Sequence, residues 1–200
     1  MAEKKRDTSK KRESILDAAV QAFEELGYEK ASMDYVAEVA QASKRTVYNH
    51  FESKEVLFEA VMDRFLEEVF QLKQIPYRSN VSLREQLNEF AQTKVLLASE
   101  PELLGLMRVA FGVFISHPQM AQRIYEKADS HEDSLSIWLE AANKDGRLNV
   151  DDPDVAANVF WSMFSGAFFW PAILQGPVEV DCGEKLKKAF LDTFLARYGN

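Results

Sequence analysis

Apolar side chains recur along most of this chain at intervals of three and four, the spacing that gathers them on one side of an α-helix. Ile15, Leu16, Ala19, Phe23 and Leu26 form the first stripe, and Gly27 after it predicts a stop. Ser32 is placed to cap a second helix, with Asp34 in its first turn at the positive end of the dipole. That helix turns Val36, Val39 and Ala40 inward and ends near Gln41-Ala42. Ser43 caps a third, Lys44 to about Phe51, and Ser53 a fourth, from Lys54 through Leu57, Val61, Phe65 and Val69 to about Gln74, where Pro76 stops it. Leu83, Leu87, Phe90 and Leu97 mark the next helix, ended near Pro101. Leu103 to Ile115 follows, closed by His117-Pro118. A long helix is expected from about Gln119 to Asn143, then one from Pro153 to about Leu174, broken by Gly176-Pro177, and a last from about Cys182 to Tyr198. No period-2 run of sheet length and no internal repeat occurs, so the pattern predicts an all-α fold of about nine helices.

Composition narrows the class. Two hundred residues with 46% hydrophobic and 28% charged side chains suit one ordinary domain or two small ones and can bury a substantial core. The most apolar stretch, 155–174, is broken by Asn158, Ser162, Ser165, Gly166 and Pro171, which favours a buried helix over a membrane span. The polar start MAEKKRDTSKKRES lacks the apolar segment of a signal peptide, so a cytoplasmic protein with no membrane partner is expected. A single cysteine, Cys182, excludes an intramolecular disulfide and a cysteine-based zinc cage. Three histidines, no Gly-rich phosphate loop and no HExxH string leave little to build catalysis on. No catalytic residue, metal ligand or cofactor is therefore assigned, and the chain reads as a non-enzyme.

Charge changes the picture further. The formal net charge is −8, yet residues 1–54 hold ten basic and ten acidic groups and residues 55–200 carry the whole excess. Residues 1–12 alone hold six basic groups against two acidic, either a solvated tail or a basic arm beside a nucleic-acid-binding module. The neighbouring segment decides. Three short helices with a three-residue hinge between the second and third have the shape of a helix-turn-helix over about 32–51. Ala37 and Ala40 supply the small residues a tight crossing needs. Val47 and Phe51 turn inward against Ile15, Val36 and Val39. Lys44, Arg45, Thr46, Tyr48, Asn49 and His50 are then left outward. A seven-residue helix is roughly 10 Å long, about the width of the major groove. Arg45 suits a guanine edge and Asn49 an adenine. Ser43, Thr46, Tyr48, His50 and Lys54 suit phosphate, and the free N–H groups after Ser32 suit the opposite rim.

The string SMDYVAEVAQASKRTVYNHFESKEVLFEAV, residues 32–61, resembles the DNA-binding domain of the TetR family of bacterial transcription regulators, over about residues 9–70. The resemblance implies that Lys44 to Phe51 is the recognition helix and that Ser43, Lys44, Thr46, Tyr48, His50 and Lys54 stand at positions often used at DNA. Arg45 stands where Gly is frequent and Asn49 at a variable position, so both are candidates for sequence reading. Gln41 replaces a frequent Gly in the hinge, where a positive φ costs a side-chain-bearing residue about 1 kcal/mol.

The rest of the chain then acquires a role. Residues 1–54 form the expected DNA-binding domain, and 55–200 the regulatory, ligand-binding and dimerisation domain. The stretch GRLNVDDPDVAANVFWSMFSG looks like an AcrR- or AefR-type regulatory domain. The family's use of the last two helices as a four-helix dimer implies an interface through Val159, Phe160, Met163, Phe190 and Phe194 of a homodimer on a palindromic operator. Core packing explains most of the large apolar groups between Leu103 and Leu174, but bundles rich in aromatics also hold apolar pockets. Phe90, Met107, Phe111, Phe114, Trp138, Trp161, Phe164 and Phe168 are the candidate lining, with Arg108 and His131 as polar groups for a small effector. The expected partners are double-stranded DNA, an effector and a second copy of the chain. The expected function is a repressor released by a largely apolar ligand. The alternative is a structural or division-site DNA binder of the same fold without an effector.

Overall fold

The computed structural model describes residues 2–72, 75–129, 134–177 and 183–200. Among them are ten helices: α1 (Ala2–Lys30), α2 (Met33–Val39), α3 (Lys44–His50), α4 (Lys54–Leu72), α5 (Leu83–Leu97), α6 (Pro101–Ser116), α7 (Pro118–Asp129), α8 (Ser134–Lys144), α9 (Pro153–Gln175) and α10 (Glu184–Tyr198). No strand occurs among the described residues; Leu148 and Gly199 form one isolated antiparallel bridge. The all-α expectation holds, with one helix more than the stripes suggested.

Three differences have local causes. Helix α1 begins at Ala2, well before the apolar stripe, because Ala, Glu, Lys and Arg are good helix formers without a face to bury. Gly27 interrupts α1 with φ 74° and ψ 158°, and a final turn follows it, so the expected stop appears as a kink. Residues 165–169 of α9 wind as a π-turn, in which the Trp170 N–H donates to the Ser165 carbonyl. Pro171 follows directly; it has no N–H and crowds the carbonyl four residues back, which favours this local unwinding. The single helix expected over 119–143 is present as α7 and α8, with 130–133 outside the described residues.

The chain forms two compact units, Met1–Glu68 with Gly105–Ala128, and Val69–Leu104 with Asp129–Asn200. In the first, Ile15, Leu16, Ala19, Ala22 and Phe23 of α1 pack with Val36 and Ala37 of α2, Val47 of α3, Leu57, Phe58 and Val61 of α4, and Ala110 and Val113 of α6. Phe23, Tyr28 and Phe58 meet edge-on or tilted, with ring centroids 5.1–5.7 Å apart. Arg123 and Lys127 of α7 pair with Glu59 and Asp63 of α4, and Arg64 of α4 with Asp17 of α1 at 2.7 Å. Exposed pairs of this kind contribute about 0–1 kcal/mol each and mainly fix helix register.

In the second unit, Phe160 sits between Phe164 and Phe194 at centroid distances of 4.7 and 5.3 Å. Gln86 is fully buried and fully bonded. Its oxygen accepts from the Arg78 N–H and the Trp138 indole, and its nitrogen donates to the Arg78 and Val81 carbonyls. A buried amide left half-satisfied would cost about 1–3 kcal/mol, so this closed network pins α5, α8 and the 78–81 turn together. Asp152 caps α9 through the Val155 N–H, with Pro153 at its first position. Helix α9 is long and apolar enough to cross a membrane by length and composition. Phe160, Phe164, Phe168 and Ala172 line its buried side, but only 28% of the apolar stretch is buried and Val155, Val159, Trp170 and Leu174 are exposed, so it is not the buried helix expected from the sequence.

Candidate nucleic-acid interface

Helices α2 and α3 build the surface. Ser32 caps α2 by accepting from the Tyr35 N–H at 3.1 Å. Ser43 caps α3 by accepting from the Thr46 N–H at 3.0 Å, and its hydroxyl also meets that of Thr46 at 2.7 Å. Two capped starts give short helices defined beginnings, worth about 1 kcal/mol each. Val47 is the one buried residue of α3, and Phe51, its C-cap, is buried too. These two anchors determine which side faces out. Arg45, Asn49 and Lys44 are exposed, Tyr48 is 50% exposed, and Thr46 and His50 are half-buried on the flanks.

The turn between the helices has a cost and an offset. Gln41 adopts φ 47°, the only positive φ outside glycine among the described residues. The hinge strain expected from the missing glycine is therefore present. Lys11 of α1 reaches the turn, its ammonium donating to the Ala40 and Gln41 carbonyls at 3.2 and 3.4 Å. The Tyr35 hydroxyl donates to Glu25 at 2.7 Å and ties α2 to α1. Gln21 and then Tyr35 hold the Glu25 carboxyl below its ordinary value, and the same bond raises Tyr35.

Two predicted DNA-facing cations already have partners. The Lys44 ammonium lies 2.6 Å from the Asp34 carboxylate, which bonds it and raises its pKa. Lys54 donates to the Tyr28 and Glu29 carbonyls at 2.8 and 3.1 Å and lies 4.4 Å above the Tyr28 ring. It closes the C-terminal turn of α1 after the Gly27 kink, a structural role that the sequence pattern did not show. Lys11 was missed as well. Part of its signal was present: it lies four residues before Ile15, on the same face as the buried stripe, although that spacing does not say where its ammonium goes.

The candidate effector and dimer residues separate on the structure. Met107 and Phe114 of α6 pack against the core of the first unit, Phe111 meets Phe114 edge-on, and Arg108 is exposed. Phe90, Trp138, Trp161, Phe164 and Phe168 belong to the second unit, where Phe90 contacts both Trp138 and Trp161 at about 6 Å. His131 lies outside the described residues. An open groove of about 730 Å³ between α5 and α10 is lined by Arg84, Asn88, Lys185, Lys188 and Leu191, not by these aromatics. Of the dimer candidates, Val159 is 41% exposed and Met163 and Phe190 are half-buried. Phe160 and Phe194 are 0% and 1% exposed and are engaged by the core of their own chain.

A helix-turn-helix of this geometry, joined to an all-α remainder, defines a class of DNA-binding regulators, and comparison places the chain within it. Residues 15–61 match the family model described as bacterial regulatory proteins of the tetR family. Residues 85–200 match that of the AefR-like transcriptional repressor C-terminal domain. The chain belongs to the TetR family of transcriptional regulators. It is similar to a TetR-family regulator from Pseudomonas syringae pv. tomato str. DC3000, with 38% identity, 94% of this chain and 96% of that one covered, and a TM-score of 0.78. It is similar to the flavonoid-responsive regulator FrrA, with 27% identity, 96% and 98% covered, and a TM-score of 0.79. The A-factor receptor protein of Streptomyces griseus is 33% identical over 76% of this chain and 52% of its own length.

Proposed function

We propose that this chain is a ligand-responsive repressor that binds a palindromic operator as a homodimer and leaves it when a small, largely apolar effector binds. The observation that carries the reading is the sidedness of α3: Val47 is buried, while Arg45, Tyr48 and Asn49 point away from the core. One such helix offers too few contacts for a specific site, whereas two on a symmetric pair read two half-sites about 34 Å apart. DNA contact is assigned to residues 1–54, and regulation and dimerisation to 55–200. In this assignment Arg45 and Asn49 read bases, while Ser32, Ser43, Lys44, Thr46, Tyr48 and His50 meet the backbone. Lys54 acts by shaping the end of α1 next to that surface.

The repressor sign is supported by the match of residues 85–200 to a repressor-type C-terminal domain. The apolar character of the effector is supported by the aromatic content of the second unit and by the flavonoid response of FrrA. Pairing is assigned to the outer side of α9 and to α10, where Val155, Val159 and Leu186 are exposed. If the effector favours a dimer whose recognition helices are wrongly spaced, DNA affinity falls by the ratio of its affinities for the two states.

Rounds of binding to a random duplex library, followed by sequencing, test the reading. An enriched inverted repeat is expected, bound by two chains, with affinity falling steeply as salt rises. A panel of flavonoids and other aromatic compounds should contain members that raise the melting temperature and release that duplex. Enrichment of an asymmetric site bound by one chain would refute the dimer. Binding without any responsive compound would favour the effector-free alternative.

A further inference from the structure

The basic residues beside the helix-turn-helix are of two structural kinds. Arg45 points outward from α3, whereas Lys11 and Arg12 of α1 turn toward the motif itself. The Lys11 ammonium donates to the Ala40 carbonyl at 3.2 Å and the Gln41 carbonyl at 3.4 Å. Ala40 is the C-cap of α2, where carbonyls left without intrahelical donors carry the negative end of the dipole. Gln41 holds the one strained backbone conformation of the turn, φ 47°. Arg12 lies with its guanidinium 5.2 Å from the ring centre of Phe51, the C-cap of α3. Adjacent residues of α1 therefore hold the turn that leads into α3 and the residue that ends it.

We propose that Lys11 and Arg12 are positioning residues that set the presentation of α3, and that Lys11 in particular does not contact phosphate. The inference rests on the DNA-binding reading of this surface. Its physical basis is the absence of a glycine at position 41. A turn that glycine would adopt freely is here imposed on a side-chain-bearing residue, and a cation over its carbonyls offsets the strain. Removing that cation lets the turn relax, and α3 begins only three residues after Gln41, so its whole axis follows. The neighbouring register bonds are Ala42 N–H to the Ala37 carbonyl and Thr46 N–H to the Ser43 carbonyl, both 2.9 Å. They transmit a shift at residue 41 directly into the first turn of α3.

The experiment uses the full chain and the duplex that it enriches from a random library. Lys11→Met keeps the apolar stem and removes the charge. Operator affinity should fall roughly three- to tenfold, the scale of one ordinary net hydrogen bond, with no change in the slope of log affinity against log salt. Adding Gln41→Gly to K11M should restore most of that affinity, because glycine holds the turn without help. A lysine bound to phosphate behaves oppositely: the slope becomes shallower by about 0.9 for each phosphate no longer neutralised, so ~1.8 for a dimer, and a glycine in the turn restores nothing. Either of those results would overturn the proposal, as would wild-type affinity in K11M. If K11M alone does not fold, the slope is read in K11M/Q41G, where an unchanged value supports positioning and a shallower one refutes it. Arg12→Gln, read the same way, should also leave the slope unchanged. Failure of the wild-type chain to enrich any duplex would overturn the DNA-binding reading, and the role of Lys11 with it. That outcome is distinct from the slope and rescue results, which bear on Lys11 alone.

Discussion

Val47→Ala and Arg45→Ala should separate the two sides of α3 into two kinds of defect. Val47 is 0% exposed, and it and Phe51 are the buried side chains that anchor a seven-residue helix to the core. Truncation removes two methyl groups, about 1.6 kcal/mol of transfer energy at ~0.8 per group. The cavity left between α1, α2 and α3 adds to this, so a total of about 2–3 kcal/mol is expected. So short a helix has little stability of its own, and the loss should concentrate in the motif. Hydrogen exchange across residues 33–51 should speed up more than elsewhere, and urea unfolding followed by far-UV circular dichroism should shift to lower concentration. Arg45 is exposed and has no partner among the described residues that its truncation would orphan. Arg45→Ala should change stability by less than about 0.5 kcal/mol. Its operator affinity should fall by about 1–3 kcal/mol if it reads a guanine. This assignment of faces fails if Val47→Ala leaves exchange in 33–51 at the wild-type rate, or if Arg45→Ala destabilises the fold as much as Val47→Ala does. Either result would mean that α3 presents a different face.

Three further regions give separate readouts. Asp34→Asn releases Lys44 from its 2.6 Å ion pair and removes a negative charge beside the DNA surface, so duplex binding measured by fluorescence anisotropy should tighten and its salt slope steepen. Tyr28 is buried with no hydrogen-bond partner for its hydroxyl among the described residues, and burial, then Glu55 and Glu29, push its pKa up to about 12. Because the folded value is raised, the stability tied to the neutral phenol is complete below pH ~10 and is lost as pH rises toward 12. Tyr28→Phe should therefore be neutral or stabilising at pH 7 and should flatten the alkaline limb of a pH-melting curve. Val159→Asp should lower the dimer fraction in sedimentation with little loss of protomer stability, whereas Phe160→Ala should cost about 3–5 kcal/mol of stability.

The helices were legible because each apolar stripe is tied to a cap or a breaker close by in sequence. Ser32, Ser43 and Ser53 all cap as side-chain acceptors, and Gly27 bends α1 where its stripe ends. The outward face of α3 was legible for the same reason, since Val47 and Phe51 leave the other positions no route inward. What escaped notice depends on which distant residue a polar group meets. Lys44 with Asp34, Lys54 with the end of α1, and Lys11 with the α2–α3 turn are separated by 10 to 30 positions, and a pattern of periods three and four does not encode them. Phe160 and Phe194 illustrate the same limit for apolar groups. Periodicity shows that α9 and α10 each have an apolar side, but it does not say which members of the stripe their own core takes up. The π-turn was hidden differently, because Pro171 breaks the ladder and its neighbours keep the helix continuous through an altered hydrogen-bond pattern.

The acidity of the chain and its proposed affinity for a polyanion are compatible because charge acts over short range in salt. The Debye length is about 8 Å at physiological ionic strength, shorter than α3 is long, so the local arrangement at α3 outweighs the total of −8. Within the first unit many carboxylates face basic partners of the same unit: Glu59 and Asp63 meet Arg123 and Lys127, and Asp17 and Glu13 meet Arg64. Those pairs contribute little field beyond their immediate surroundings. Arg45 lies outside such a pair, and Lys44 is held by one exposed carboxylate that a phosphate can displace at little cost. Discrimination between sequences then rests on the few groups of α3 proposed to meet base edges, because phosphate contacts fix register and orientation but carry no sequence information.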